Sequence, residues 1–191
     1  MKLIIPIGPP GGGKTTFSQA IPGASVASFA DPLYAAMSAI LGPHKVNELR
    51  RLNQKGEPLV ELGGKSLRFA LRSLGTEWGR NMIWEDIWCE SLFRQYDDVD
   101  VLTIDDLRFP NEYEAARKRG AVFVRIWQRG YERVPPEHES ESYWFTFPVH
   151  LQVEWDTRDE IRDKAGYVFE RLDEIATHRP EVTKRLVPTL P

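Results

Sequence analysis

Cysteine is nearly absent from this 191-residue chain: only Cys89 is present, so no internal disulfide can form. That excludes the stapled frameworks of small secreted domains and points to a cytoplasmic protein. Long apolar runs are missing as well. The longest candidate, Leu3-Ile4-Ile5-Pro6-Ile7, is far too short for a signal peptide or a membrane span, so no membrane partner is expected. Neither sign of charge dominates: 25 Lys and Arg face 28 Asp and Glu, a net charge of −3. Such a balance argues against bulk electrostatic binding to a nucleic acid polymer. Nothing in the sequence supports a zinc site or a cysteine nucleophile, and no repeat or low-complexity segment is visible. Apolar residues still make up 41% of the chain, enough to bury a core and to exclude a disordered protein.

Short β-branched runs alternate with helical patterns. Strands are expected at 2–7, 25–29, 99–104, 121–127 and 149–155. Helices are expected at 14–21, after Asp31-Pro32 with Asp31 as N-cap, from Pro110 to the stop at Gly120, and from the Thr157 capping box to about Ile175. The pattern predicts an α/β fold: a parallel sheet of about five strands flanked by helices. Residues 42–98 read as a helical insertion without strands, with its best helix at Met82–Tyr96. Residues 128–147 read as a polar loop and 179–191 as an extended tail. All of this belongs to one domain, 1–191.

Gly8-Pro9-Pro10-Gly11-Gly12-Gly13-Lys14-Thr15 fits G-x-x-x-x-G-K-[ST] between a strand and a helix, the context the phosphate-binding P-loop requires. Glycines let successive N–H groups curl toward phosphate oxygens, and the following helix adds the positive end of its dipole. Gly11, Gly12, Gly13, Lys14, Thr15 and Thr16 are therefore the expected ATP contacts. Lys14 supplies charge at the β/γ-phosphates, and the Thr15 hydroxyl ligates Mg²⁺.

Asp105 and Asp106 end a hydrophobic strand beside that loop, where an acid can hold the metal directly or through water. Capping of the next turn is the other role open to either. Arg108 sits on the same rim. Arg68, Arg72 and Arg80 lie in the insertion, and Arg129 and Arg133 in the polar loop. Arginines from three segments can grip two phosphorylated ligands, although Arg68 and Arg72 fit a solvated surface equally well. Trp78, Trp84 and Trp88 flank Arg80. Packing the insertion is their ordinary role, and stacking on a base the other.

The chain resembles the deoxynucleoside monophosphate kinases of bacteriophages, P-loop kinases related in fold to phosphomevalonate kinase. The resemblance rests on the loop at 8–15, Phe29-Ala30-Asp31-Pro32-Leu33, Leu74-Gly75-Thr76-Glu77-Trp78-Gly79-Arg80 and Asp105-Asp106-Leu107-Arg108-Phe109-Pro110-Asn111-Glu112. His138-Glu139-Ser140-Glu141 is a weaker fifth match. It implies transfer of the γ-phosphoryl of ATP, with Mg²⁺, to a deoxynucleoside monophosphate, in the host cytoplasm if the chain is phage-encoded. It further implies that residues 42–98 bind the monophosphate, with Arg80 and Arg108 on the acceptor phosphate and Asp31 nearby at the substrate cleft; Arg68 and Arg72, from the reading of the arginines, are counted as substrate contacts beside them. Residues 128–147 become a lid, with Arg129 and Arg133 on the triphosphate. Lys14, Arg108 and Arg129 would be the catalytic set. The run Trp144-Phe145-Thr146-Phe147-Pro148 matches no motif of that family. A homodimer is left open.

Three rivals remain at this stage. Another small-molecule P-loop kinase would take an alcohol or a phosphorylated metabolite as acceptor. A nucleotide-gated GTPase switch should carry Asn-Lys-x-Asp, which is absent. A DNA-packaging or helicase-like ATPase should be longer and show basic stripes.

Overall fold

The computed structural model describes residues 1–131 and 144–181. The chain divides into two compact units, one made of Met1–Ser28 with Tyr96–Pro191, the other of Phe29–Gln95.

The first unit is built on five strands: β1 (Lys2–Ile7), β2 (Ser25–Ala27), β3 (Val101–Ile104), β4 (Val122–Gln128) and β5 (Leu151–Trp155). They form one all-parallel sheet in the order β2-β3-β1-β4-β5, so the α/β expectation holds. Each expected strand is present, some shorter than predicted. A central strand of such a sheet is buried on both faces, which is why Leu3, Ile4, Ile5 and Ile7 of β1 are all buried. On one face α1 (Lys14–Ala20), α7 (Arg158–Glu170) and α8 (Leu172–Ile175) enclose a core that includes Phe17, Val124, Val153, Ile161, Val168 and Leu172. Phe123 alternates with Val122 and Val124 and so points to the opposite face. There it stacks on Tyr113 of α6 (Pro110–Lys118), with ring centroids 4.2 Å apart.

The expected closing helix divides at Arg171 into α7 and α8. Its N-cap is as predicted, with Thr157 Oγ1 accepting from the Glu160 N–H. Glu160, however, reaches back to the N–H of Asp156 rather than of Thr157.

The second unit is helical: α2 (Asp31–Leu41), α3 (Pro43–Arg51), a 3₁₀ turn at Val60–Leu62, α4 (Leu67–Arg72), a π-helix at Ser73–Ile83 and α5 (Ile87–Gln95). Among its residues β structure is limited to an isolated bridge between Pro58 and Ser66. Met37, Val46, Leu49, Leu59 and Leu67 form its core. Ala30, not Asp31, occupies the N-cap of α2, and Asp31 is the first helical residue. The predicted helix at Met82–Tyr96 is two elements, because Trp84 is extended (φ −169, ψ 133) and ends the π-helix before α5 begins. Among the described residues no helix is long and apolar enough to cross a membrane.

Candidate phosphate-binding site

In a parallel sheet the carboxyl ends of the strands open onto one rim, the usual place for a ligand in α/β folds. Three loops meet there in the first unit: 8–13 after β1, Ser28 after β2, and 105–109 after β3. Gly8, Pro10, Lys14, Asp105, Asp106, Leu107, Arg108 and Trp144 line a cleft of about 150 Å³ between them.

The glycine loop is shaped by its neighbours. Gly13, at φ 89, lies in the left-handed region, and a Cβ there would stand 2.8 Å from Ile161 Cδ1 and 3.0 Å from Trp155 Nε1. A side chain at this position would be strained and crowded at once. The Trp155 indole donates to the Gly12 carbonyl at 2.9 Å, and the Gly12 N–H donates to the Pro9 carbonyl at 3.0 Å. The last residue of β5 therefore buttresses the loop from behind. The Lys14 ammonium donates to the carbonyls of Gly8 (2.9 Å) and Pro9 (2.7 Å), across the mouth of the loop. Thr16, also expected at the nucleotide, is half-buried in the first turn of α1.

The acids sit where the strand pattern put them. Thr15 Oγ1 donates to Asp105 Oδ2 at 2.5 Å, and the Ser28 hydroxyl donates to Asp106. Asp105 extends the β2–β3 ladder through its N–H to the Ala27 carbonyl. Just beyond, buried Glu112 accepts from the backbone N–H groups of Arg108 (2.8 Å) and Phe109 (3.0 Å). Its carboxylate fixes the turn that presents Arg108, whose side chain is exposed at the cleft.

A hydroxyl and two carboxylates suit Mg²⁺, which takes one or two protein oxygens and completes its shell with water and substrate phosphate. Among the described residues there is no group of three His, Cys, Asp or Glu side chains arranged for a metal. The Thr15 hydroxyl and the Asp105 carboxylate are the protein oxygens that could hold such an ion.

Not every predicted residue gathers at the cleft. Arg129 donates from Nη1 to Asp156 Oδ2 at 2.7 Å, with Glu154 Oε2 at 3.8 Å, and is not part of the cleft lining. Glu160 stands beside this group, its carboxyl held down at about 2 by Lys164 and the Asp156 N–H. Arg133 and His138-Glu139-Ser140-Glu141 lie outside the described residues, as does the tail beyond residue 181.

In the second unit, Asp31 faces Arg50 at 3.8 Å, and the Arg50 guanidinium lies 3.9 Å over the Tyr34 ring. Arg68 and Arg72 are exposed on α4, and Arg72 lies 5.9 Å from the Phe69 ring centre. Arg80 is half-buried within the π-helix. Of the three tryptophans only Trp88 is core, at 7% exposure, whereas Trp78 and Trp84 are 44% and 50% exposed.

Sequence reasoning missed four contributors: Trp155, Trp144, Ser28 and the capping role of Glu112. Trp155 and Ser28 follow the same rule that identified Asp105, being at strand C-terminal ends. Trp144 had no such signal, since it comes from a stretch without periodicity. Neither protein-family models nor curated proteins give a match to this chain.

Proposed function

We propose that the chain is a Mg²⁺-dependent phosphotransferase of the P-loop kinase type, moving the γ-phosphoryl of ATP to a deoxynucleoside monophosphate. What carries this reading is the meeting of Lys14, the Thr15–Asp105 pair and Arg108 on one cleft at the sheet's carboxyl rim.

The 8–13 loop supplies backbone donors for the triphosphate, reinforced by the N-terminal end of α1. Lys14 exchanges two loop carbonyls for phosphate oxygens and moves little in doing so. Thr15 and Asp105 offer the oxygen pair for magnesium, which when bound neutralises charge on the β- and γ-phosphates. Arg108, on a turn fixed by Glu112, is placed to bind a second anion with a planar guanidinium. An acceptor phosphate already ionised needs no protein base, so positioning and charge stabilisation are the work left to the residues. Asp31, Arg68, Arg72 and Arg80 are proposed as acceptor ligands on the second unit. Arg129 and Arg133 are proposed for the triphosphate, which for Arg129 requires exchange of Asp156 for phosphate.

The test is a screen of the common nucleoside and deoxynucleoside monophosphates with ATP and Mg²⁺, followed by ADP formation. A deoxynucleoside monophosphate should be the best acceptor. ADP formation that no acceptor stimulates would favour a nucleotide-gated module, and preference for an unphosphorylated nucleoside an alcohol kinase.

A further inference from the structure

Arg125 is a buried cation that the proposed chemistry does not use. It lies in β4 with 5% of its surface exposed, and among the described residues no carboxylate lies within ion-pair distance. Burying a guanidinium without a counter-charge is unfavourable, and an aliphatic side chain would fill the same space. Among the described residues its hydrogen bond runs from Nη2 to the carbonyl of Phe147 at 2.5 Å, while Nε is buried without a partner.

The bonded carbonyl belongs to an unusual stretch. Residues 147–150 approach β5 without forming a ladder with β4, and Pro148 has no N–H to offer one. Backbone and side chains both fasten the stretch: Val149 exchanges two backbone hydrogen bonds with Glu181 in an isolated antiparallel bridge. The Tyr113 phenol donates to the Pro148 carbonyl at 3.1 Å, and its ring lies parallel to Phe147 at 5.0 Å. The His150 N–H donates to the Phe123 carbonyl, and the Phe123 N–H donates to His150 Nδ1. Phe123 and Arg125 share one face of β4. The fastened stretch begins just after Trp144, an aromatic side chain that lines the cleft together with Lys14 and Arg108. On its other side β4 meets the glycine loop: Arg125 pairs with Ile7, the last residue of β1, and a Cβ on Gly8 would come within 2.1 Å of the Ile126 carbonyl. One short piece of β4 therefore touches both the phosphate loop and the stretch that follows Trp144.

We propose that Arg125 is a positioning residue, which holds the Phe147 carbonyl and thereby sets where Trp144 stands over the phosphate cleft. The need for a long side chain ending in a planar donor that reaches the Phe147 carbonyl explains a buried arginine where packing alone would be served by an aliphatic residue.

The experiment is ¹⁹F NMR of the full chain labelled with 5-fluorotryptophan, the Trp144 resonance being assigned by its loss in Trp144→Phe. In the wild type this resonance should show only a partial shift between H₂O and D₂O, as befits a half-buried indole. In Arg125→Met it should move to the position of free 5-fluorotryptophan with the full solvent shift, while Trp88 stays unchanged. A Trp144 resonance unaltered in folded Arg125→Met overturns the proposal. Should that variant fail to fold, the wild type answers by itself on warming below its global transition. Hydrogen-exchange protection of the Arg125 guanidinium and the shielding of Trp144 should then vanish at the same temperature, and loss of one without the other overturns the proposal. Both measurements are made without nucleotide and do not depend on the kinase reading. The kinetic arm does rest on it: Arg125→Met should lower kcat about tenfold with KM for ATP within about twofold, a cost of misplacement rather than of lost binding. A wild type without phosphotransfer would sink the kinase reading and leave the resonance result standing.

Discussion

Lys14 and Arg108 line the same cleft, yet their backbones are held in different ways, and that separates their expected roles. Lys14 opens α1, its ammonium resting on the loop's own carbonyls. Arg108 projects from a turn held by the Glu112 carboxylate. A preorganised charge on a transferring phosphoryl group is worth several kcal/mol, so Lys14→Ala should lower kcat by roughly 10²-fold or more. Near-normal turnover in that variant would remove the phosphate-loop reading. A charge-assisted contact to an anion is worth about 1.5–3 kcal/mol, so Arg108→Ala should impair use of the monophosphate about 10- to 100-fold. ATP affinity, measured by direct binding, should stay close to the wild type in Arg108→Ala. Equal losses for donor and acceptor would place Arg108 on the triphosphate instead.

At the scale of elements, the π-helix at Ser73–Ile83 is the least expected feature. Long π-helices are rare, and π segments often mark functional sites. This one is held by a tryptophan. The Trp88 indole donates to the Gly75 carbonyl at 2.9 Å and packs so closely on Gly79 that a Cβ there would stand 2.3 Å from Nε1. Gly79→Ala should displace the indole and break that bond. Overpacking of this kind costs about 1–3 kcal/mol, and each kcal/mol lowers the melting temperature by about 2–4 °C in a chain of this size. Gly56→Ala, with no atom within 4 Å of the added Cβ, is the control and should melt within about 1 °C of the wild type. Equal melting temperatures for the two variants would show that Trp88 can move away without loss. The sequence made Gly75 and Gly79 look like turn signals, because a glycine's packing role depends on which side chain arrives from elsewhere in the chain. The five strands were legible for the opposite reason: their apolar runs are local, and the all-parallel arrangement follows from the helices between them. Lys14, Thr15, Asp105, Asp106 and Arg108 were legible because the carboxyl-end rule converts sequence position into place. Arg129 was not, since its partners Glu154 and Asp156 come from another strand's end.

For the whole molecule, two ionisations fall in one pH window and must be told apart. His150 stacks on Phe123 and accepts the Phe123 N–H at Nδ1, and burial, with a smaller contribution from His178, lowers its pKa below the ordinary 6.5. The folded chain thus keeps this imidazole neutral at pH values where the unfolded chain protonates it. Above about pH 6.5 both states are neutral and the group contributes nothing to pH dependence. As pH falls through that value the unfolded state gains a proton that the native state refuses, so stability declines until the depressed folded pKa is reached. Glu160 acts later: its folded pKa of about 2 supports the native state from pH 4.5 upward, and that support is lost only below it. The melting temperature should therefore fall between pH 7 and pH 5.5 before any carboxylate matters. Over the same interval the proposed acceptor loses its second negative charge, with a pKa of about 6, so turnover should rise through about pH 6 and then flatten. His150→Asn separates the two, since an amide oxygen can still accept the Phe123 N–H and does not titrate. The variant should show a flatter melting profile between pH 7 and pH 5.5 and an unchanged pH–rate curve with the monophosphate. A rate limb that disappears with His150 would assign that ionisation to the fold and remove the case for a dianionic acceptor.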